Sequence, residues 1–228
     1  MNTLFSLDGR LSVCAKLVRQ GAKLADVGTD HAYLPVWLAK NGLISSAVAS
    51  DIREKPLMSG AENIEKYGCG DIVSTRLCSG LDGVSEDEAD DIVMAGMGGE
   101  LIAKLIENAP WLKNADKRLI LQPMTKAHFL REYLCENGFT ILSETPCTHG
   151  GKYYTVIHAM YTGRITEHPI SYYYTGELDV SDLSREYIAQ IRRKLVKKRN
   201  GALASGENAA PLDEVIRFID EKFFQKEH

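Results

Sequence analysis

The chain has 228 residues, of which 44% are hydrophobic and 25% are charged, and its formal net charge is −4 at pH 7. This composition excludes an intrinsically disordered chain and leaves enough residues for a domain with a buried core. No apolar run approaches the ~20 residues of a bilayer span, and the first residues lack a signal-peptide pattern, so we expect no membrane partner.

Helix and strand patterns alternate along the first part of the chain. Apolar residues with helical spacing begin near Leu11, and each such stretch ends at a glycine or proline. Short apolar runs between these stretches predict five strands, over residues 23–28, 45–52, 71–80, 89–99 and 117–124. This alternation predicts an α/β fold, in which a parallel sheet carries helices on both faces.

Two further strand candidates, residues 139–145 and 152–161, follow each other without an intervening helix. A closing β-hairpin of this kind resembles the sheet of class I S-adenosylmethionine (SAM) methyltransferases, whose last strand inserts antiparallel beside the fifth. The sequence therefore predicts a Rossmann-like sheet of seven strands.

The pattern changes near Gly163, so we predict one domain over residues 1–163 and a helical tail over residues 164–228. Apolar residues recur at helical spacing in two stripes of the tail, with a turn inside residues 201–211. The stripes are Leu183, Tyr187, Ile191 and Leu195, then Leu212, Val215, Ile219 and Phe223. Two helices that bury such stripes against each other form an antiparallel α-helical hairpin, a coiled coil.

Positive charge is concentrated in the first helix of this tail, where residues 185–199 carry seven basic residues and one acidic residue. Such a segment is either an ordinary solvated helix face or a surface that contacts the phosphates of a nucleic acid. The candidate phosphate contacts are Arg192, Arg193, Lys197 and Lys198.

Cysteine and histidine spacing does not indicate a metal site. The five cysteines, at positions 14, 69, 78, 135 and 147, are odd in number and form no CxxC pair. We therefore expect no disulfide framework, no metal and a cytoplasmic location.

Acidic residues surround the glycine that follows the first predicted strand, in the segment Asp26-Val-Gly28-Thr-Asp30-His31. A dinucleotide site would have the pattern GxGxxG there, with free N–H groups for a diphosphate. Two carboxylates repel a diphosphate and attract the cationic amino-acid end of SAM. The alternative is a plain strand-to-helix turn with solvated acids.

Polar residues also follow the second and third predicted strands. Asp51 lies 25 positions after Asp26, an offset at which nucleotide-binding folds bind ribose hydroxyls; the alternative is a helix-capping acid. The turn Ser79-Gly80-Leu81 follows the third strand, where we expect an adenine ring, although it is also an ordinary turn.

Glycines crowd the end of the fourth predicted strand, in the segment Ala95-Gly96-Met97-Gly98-Gly99. A backbone without side chains at three of these positions permits either a strained turn or the close approach of a flat ligand. Met97 is suited equally to packing and to contact with a base. On the neighbouring strand, Gln122 either contacts a base edge or is a polar strand end.

Taken together, five segments resemble the bacterial tRNA (adenine-22, N1)-methyltransferases. They are LADVGTDHAYLP (24–35), ASDI (49–52), AGMGGELI (95–102), LILQPM (119–124) and GGKYYTVI (150–157). The resemblance covers residues 7–161 and implies SAM as cofactor, tRNA as partner and methyl transfer to N1 of an adenine.

The resemblance also implies roles for individual residues. The cofactor contacts would be Asp26, Gly28, Thr29, Asp30, His31, Asp51, Ile52, Ser79, Gly80, Leu81, Ala95 and Gly96. The target base would lie at Gly98 and Gly99 with Tyr33 stacked on it, and the tail would contact tRNA. The catalytic candidates are Asp30 first and Gln122 second, as acceptors from the exocyclic amine, together with Met97 beside the base. We expect a monomer.

Two other functions are compatible with the same residues. One is a SAM-dependent enzyme that methylates a small molecule and dimerises through its tail. The other is a binding module that retains a nucleotide pocket without catalysis.

Overall fold

In the computed structural model, which describes residues 4–225, seven strands form one sheet. The strands are β1 (Ala22–Val27), β2 (Ile44–Asp51), β3 (Val73–Leu77), β4 (Asp91–Gly98), β5 (Arg118–Thr125), β6 (Phe139–His149) and β7 (Lys152–Tyr161). Their order is β3-β2-β1-β4-β5-β7-β6. Strands β1 to β5 run parallel, and β7 lies antiparallel between β5 and β6. The predicted methyltransferase-like sheet is therefore confirmed.

Within residues 4–225, eight α-helices accompany the sheet. They are α1 (Gly9–Leu17), α2 (Tyr33–Lys40), α3 (Glu54–Lys66), α4 (Gly99–Glu107), α5 (Ala127–Glu136), α6 (Ile170–Thr175), α7 (Asp182–Ser205) and α8 (Ala210–Ile219). The sequence did not predict α6, because six residues are too short to show a helical period. Residues 1–3 and 226–228, the outer ends of the two predicted segments, lie outside the described residues.

The sheet is buried on both faces, which explains why β4 and β5 contain runs of consecutive apolar residues. In β4, Ile92 and Met94 belong to the core on one face, whereas Val93 between them belongs to the core on the other. In β5, Leu119 and Ile120 divide in the same way. Successive side chains of a strand point to opposite faces, so a strand covered on both sides needs apolar residues at every position.

The tail forms the predicted antiparallel pair of helices. Arg199 of α7 pairs with Asp213 of α8, and Arg192, earlier in α7, pairs with Asp220 directly after α8, so the two helices run in opposite directions. A separate apolar cluster holds the two helices together.

The buried face of α7 differs from the predicted stripe. Leu183 is exposed, whereas Ile188 is fully buried. The reason is that α7 packs against the β6–β7 hairpin as well as against α8. Tyr153 of β7 joins the tail cluster, and its carbonyl oxygen accepts a hydrogen bond from Gln190 Nε2 at 3.0 Å.

A buried arginine connects the tail to the sheet domain. Arg131 of α5 donates to both carboxylate oxygens of Glu144 on β6, at 2.7 and 3.1 Å. Its third nitrogen, Nη1, donates to the carbonyl oxygen of Tyr173 at 2.6 Å, and Nη2 also lies 3.5 Å from the hydroxyl of Tyr187. One guanidinium therefore joins α5, β6, the α6 segment and α7.

None of the helices within residues 4–225 has the length and hydropathy that a membrane-spanning helix requires. All five cysteines are free thiols.

Candidate functional site

A cavity of about 320 Å³ lies at the carboxyl ends of β1 to β4. It is formed by the turn after β1, the end of β2, the turn after β3, and the end of β4 with the start of α4. Its lining residues are Val27, Gly28, Asp51, Ile52, Arg53, Ser79, Gly80, Ala95, Gly96, Met97, Leu101 and Leu105. Seven of the twelve predicted cofactor contacts therefore line a single cavity. In open parallel sheets, this edge is where ligands bind.

The backbone ties the turns of this cavity together. Gly28 and Thr29 both donate N–H groups to the carbonyl oxygen of Ser50, at 2.8 and 2.9 Å. The Ser50 hydroxyl donates to the carbonyl oxygen of Gly80 at 3.2 Å. Gly28 has a φ of +73°, and a Cβ there would lie 3.0 Å from Met97 Cε. The backbone conformation favours glycine at this position, and the Met97 side chain would have to shift slightly to admit a Cβ.

Asp51 presents a buried carboxylate to the cavity. Its Oδ1 accepts from the backbone N–H of Arg53 at 2.8 Å and from Arg53 Nε at 3.3 Å. Its Oδ2 takes part in no hydrogen bond within the described part of the chain, residues 4–225. That oxygen is available to a ligand, and a carboxylate oxygen accepts hydroxyl donors.

Asp26 is a second buried acid at this edge, directly before cavity residues Val27 and Gly28. Desolvation raises the pKa of Asp26 to about 6; the negative charge of Asp51 adds to the increase and a hydrogen bond from Thr29 opposes it. A cation placed beside this carboxylate is therefore strongly favoured.

Asp30 and His31 lie outside the main cavity. They line a neighbouring recess together with Arg53, which belongs to both. His31 Nε2 lies 3.6 Å from Asp30 Oδ2, and the His31 ring lies 5.2 Å from that of Tyr33. The structure thus brings these three predicted residues together on an open surface beside the cavity.

The glycine-rich segment forms a rim on the cavity. The register of β4 on β5 is irregular between Ala95 and Met97, and Gly96 between them has a φ of +83°. Its N–H donates to Gln122 Oε1 at 3.1 Å. Gln122 Nε2 donates in turn to the carbonyl oxygen of Pro123, and the side chain is fully buried.

Gln122 therefore supports the Gly96 turn from a fully buried position, in place of the predicted contact with a base. The reason is that its amide satisfies the backbone groups that the irregular register leaves unpaired.

Arg10 is a residue of the rim that sequence analysis missed. Its Nη1 lies 3.4 Å from Gln122 Oε1, and a Cβ on Gly96 would lie 3.7 Å from the same nitrogen. Asp8 holds the guanidinium through Nη2 at 2.9 Å. No local signal identifies Arg10, because its partners lie about one hundred positions further along the chain.

Apolar side chains on α4 were also missed as cavity residues. Leu101 and Leu105 have the helical spacing of a buried stripe, yet both line the cavity and Leu101 is half exposed. Leu81 shows the opposite: its side chain is buried in the core, so only its backbone is available to a ligand.

The predicted phosphate contacts lie on α7, away from this cavity. Arg193, Lys197 and Lys198 are exposed. Arg192 differs from the prediction, because Nη2 of its guanidinium is bonded to Asp220 at 2.8 Å. The acid that neutralises it lies 28 positions away, beyond the segment in which the charges were counted.

The sequence model of the methyltransferase domain family matches residues 7–157. The tRNA (adenine(22)-N(1))-methyltransferase of Bacillus subtilis (strain 168) is 38% identical over 159 residues. That match spans 70% of this chain and 66% of the length of the relative.

Solved structures are similar over almost the whole chain. A putative tRNA (m1A22) methyltransferase of Streptococcus pneumoniae, Sp1610, is 33% identical with a TM-score of 0.84, and the match covers 95% of this chain and 99% of that one. The same protein in complex with SAM gives 34% identity and a TM-score of 0.81, covering 93% and 97%. This chain therefore belongs to the methyltransferase domain family and, within it, to the group of the tRNA (adenine(22)-N(1))-methyltransferases.

Proposed function

We propose that this protein transfers a methyl group from SAM to N1 of an adenine in tRNA, at position 22 as in the name of its relative. The observation that carries the proposal is the pair of buried carboxylates, Asp26 and Asp51, at the edge of a cavity of about 320 Å³. Acids at this edge suit a cationic nucleoside and disfavour a dinucleotide.

The residues of the cavity fit the parts of SAM. Asp51 would accept the ribose hydroxyls, and the backbone of Ser79, Gly80 and Leu81 would border the adenine. The apolar wall of Ile52, Met97, Leu101 and Leu105 suits a flat ring. The amino-acid end would lie toward the turn after β1, at Asp26, Gly28 and Thr29. Asp30 and His31, the other predicted contacts of this turn, line the neighbouring recess. Ala95 and Gly96 would separate the cofactor from the target base.

When bound, SAM supplies a methyl group on a positively charged sulfur, so that N1 forms the new N–C bond with its lone pair as the S–C bond breaks. No proton leaves N1, and the protein therefore needs no general base there. Its contribution is positioning and exclusion of water. The positive charge moves to the adenine, where Asp30 would accept a hydrogen bond from the exocyclic amine.

N1 belongs to the Watson–Crick edge, so the target base must be unpaired or flipped out. Gly96, Met97 and Gly98 provide a rim where a flat ring approaches the backbone, and exposed Tyr33 would stack on it. Packing also favours glycine at position 99, because a Cβ there would collide with the carbonyl oxygen of Lys126.

We infer that the tail contacts tRNA through exposed cations on α7, namely Arg193, Lys197 and Lys198. Arg192 is assigned to the α7–α8 contact instead. A tRNA substrate also implies a cytoplasmic protein, and we propose that it acts as a monomer.

Replacing Asp30 with asparagine is expected to lower kcat about tenfold and to change the Kd for SAM less than about twofold, because the amide keeps an acceptor oxygen but loses the negative charge that stabilises the cationic product. Stopped-time methylation assays and calorimetry measure the two quantities. Asp71→Asn, an exposed acid at the opposite edge of the sheet, is the matched control. A weaker Kd with unchanged kcat would assign Asp30 to the cofactor.

The affinity for SAM is expected to fall about tenfold from pH 7 to pH 5, because protonation of Asp26, with its pKa of about 6, removes the attraction for a cation. The unliganded fold responds in the opposite direction. A carboxyl whose pKa is raised on folding stabilises the fold most below its unfolded pKa of 3.8 and loses that contribution as pH rises through about 6.

Calorimetric titrations at pH 5, 6 and 7 measure this dependence. Asp26→Asn is the control, since an amide does not titrate, and its profile should be flat. Equal profiles for the two proteins would place the cation away from Asp26.

Nucleoside mass spectrometry tests the function as a whole. Unmodified tRNA is incubated with the protein and SAM labelled in the methyl group, then digested to nucleosides. We expect labelled 1-methyladenosine, and none when the adenine at position 22 is replaced by another base. Turnover of SAM on small molecules alone, with no label in tRNA, would indicate a small-molecule methyltransferase instead.

A further inference from the structure

A groove separates the sheet domain from the tail, outside the cavity described above. Its volume is about 320 Å³, and its walls come from the end of β5, the start of α5, the start of β7, and helices α6 and α7. Small-molecule and nucleotide sites typically have volumes of about 300–1,000 Å³. The groove is therefore large enough for a ligand of nucleotide size.

The groove adjoins the rim of the proposed methyl-transfer site. Pro123 and Thr125 line the groove, and they pair in the sheet with Met97 and Gly98 of the rim. Neighbouring strands lie about 5 Å apart. The wall of the groove is therefore one strand away from the rim.

Two stacked aromatic rings line the groove. His128 and Tyr174 have ring centroids 4.6 Å apart and an interplanar angle of 7°. Burial, followed by the charges of Arg131, Lys198 and Lys126, lowers the pKa of His128, which favours the neutral imidazole. Aromatic rings are the platforms on which unpaired bases stack in proteins that bind single-stranded nucleic acids.

Two lysines of α7, Lys194 and Lys198, line the same groove. Neither ammonium group forms an ion pair with any residue from 4 to 225, whereas Lys126 of the groove is paired with Glu100. The groove therefore carries unneutralised positive charge, which is complementary to a phosphate.

We propose that this groove binds the unpaired nucleotide next to the methylated adenine in the same RNA chain. Its base stacks at His128 and Tyr174, and its phosphate lies between Lys194 and Lys198. The inference rests on the proposed function and names a second RNA subsite for it. The aromatic pair and the two unpaired lysines line the same groove, one strand away from the rim. Aromatic rings for the bases and positive charges for the phosphates are the features that bind single-stranded RNA. Holding the flanking nucleotide favours the unpaired state of the target base.

The test uses the full chain with an unmodified tRNA transcript. We expect KM for tRNA to rise about tenfold in His128→Ala and in the pair Lys194→Ala/Lys198→Ala. The control pair Lys40→Ala/Lys113→Ala removes the same charge at the opposite edge of the sheet, and its KM should stay within about twofold of wild type. In all variants kcat at saturating tRNA and the Kd for SAM should remain unchanged, since none of these side chains lines the main cavity.

Two further measurements separate stacking from charge. For a single-stranded RNA oligonucleotide, the slope of log affinity against log salt should decrease in the lysine pair by about 0.7 for each phosphate that is no longer neutralised. The slope should remain unchanged in His128→Ala, because this variant removes a stacking ring and keeps both lysines. His128→Phe should restore the KM, because a phenyl ring keeps the stacking surface.

The subsite is refuted if the wild-type protein methylates tRNA while both variants match the control pair in KM and salt slope. A wild-type protein that methylates no tRNA refutes the proposed function instead. The oligonucleotide titrations then still decide whether the groove binds RNA, since equal affinity in the variants and the control pair would exclude it.

Discussion

Replacing Arg131 with methionine is expected to lower the free energy of unfolding by about 3–5 kcal/mol, because it leaves the buried Glu144 carboxylate without its partner. Both side chains are completely buried. Although burial opposes its charge, Glu144 and Tyr187 beside it raise the pKa of Arg131, so the guanidinium remains charged throughout the accessible pH range.

The neighbourhood of this pair leaves no room for compensation. Gly176 has a φ of +64°, and a Cβ there would collide with Glu144 Oε2. Water therefore has little access to the carboxylate once the arginine is removed, and the α6 segment loses the hydrogen bond between Arg131 and Tyr173. The tail should separate from the sheet before the sheet itself unfolds.

Urea unfolding followed by circular dichroism measures the loss, and limited proteolysis near residue 163 detects release of the tail. Arg76→Met is the matched control, since the pair Arg76–Glu88 is partly exposed and should contribute only about 0–1 kcal/mol. The double variant Arg131→Met/Glu144→Leu should recover most of the stability, because it removes both charges. A loss below about 1 kcal/mol in the single variant would show that the pair does not hold the tail.

Replacing Asp51 with alanine is expected to weaken SAM binding about 100-fold. A carboxylate that accepts two ribose hydroxyls makes two charge-assisted hydrogen bonds, each contributing about 1.5–3 kcal/mol before water replaces them. Asp51 is 4% exposed and already oriented by Arg53, so little ordering is required when a ligand binds.

Calorimetry with SAM measures the change, and thermal unfolding without ligand verifies that the fold is intact. Asp51→Asn is an informative companion, because an amide oxygen still accepts one hydroxyl while the charge is removed, so its affinity should be intermediate. An unchanged Kd in Asp51→Ala, with the fold intact, would remove Asp51 from the cofactor site and with it the assignment of the ribose.

Features that depend on neighbouring positions along the chain were predictable from the sequence. The strands of the sheet and their order of appearance follow from apolar runs ended by glycine and proline, because periodicity and chain punctuation are local properties. The closing hairpin was predictable for the same reason, since two strand patterns followed each other without a helix. The acids after β1 and β2 were found because parallel strands present their carboxyl ends at one edge.

Features that depend on contacts between distant segments were decided by the tertiary structure alone. The sequence predicted that Gln122 contacts a base, whereas in the structure it supports Gly96. A register irregularity in the neighbouring strand leaves the Gly96 N–H without a backbone partner, and Gln122 Oε1 accepts it. The charge of Arg192 is neutralised by Asp220 on the opposite side of the helix pair. Arg10 of α1 lies at the rim, although the sequence of α1 contains no pattern that predicts this position.

The same distinction applies to the groove and to the tail. His128 and Tyr174 are 46 positions apart in the sequence and 4.6 Å apart in space. Nothing in either local segment predicts that they stack, or that Lys194 and Lys198 lie beside them. The sequence by itself determined which segments are helices and strands and which chemistry lies at the strand ends, because those follow from local spacing. Which side chains face each other across elements depends on how the helices pack, and packing is a property of the folded chain as a whole.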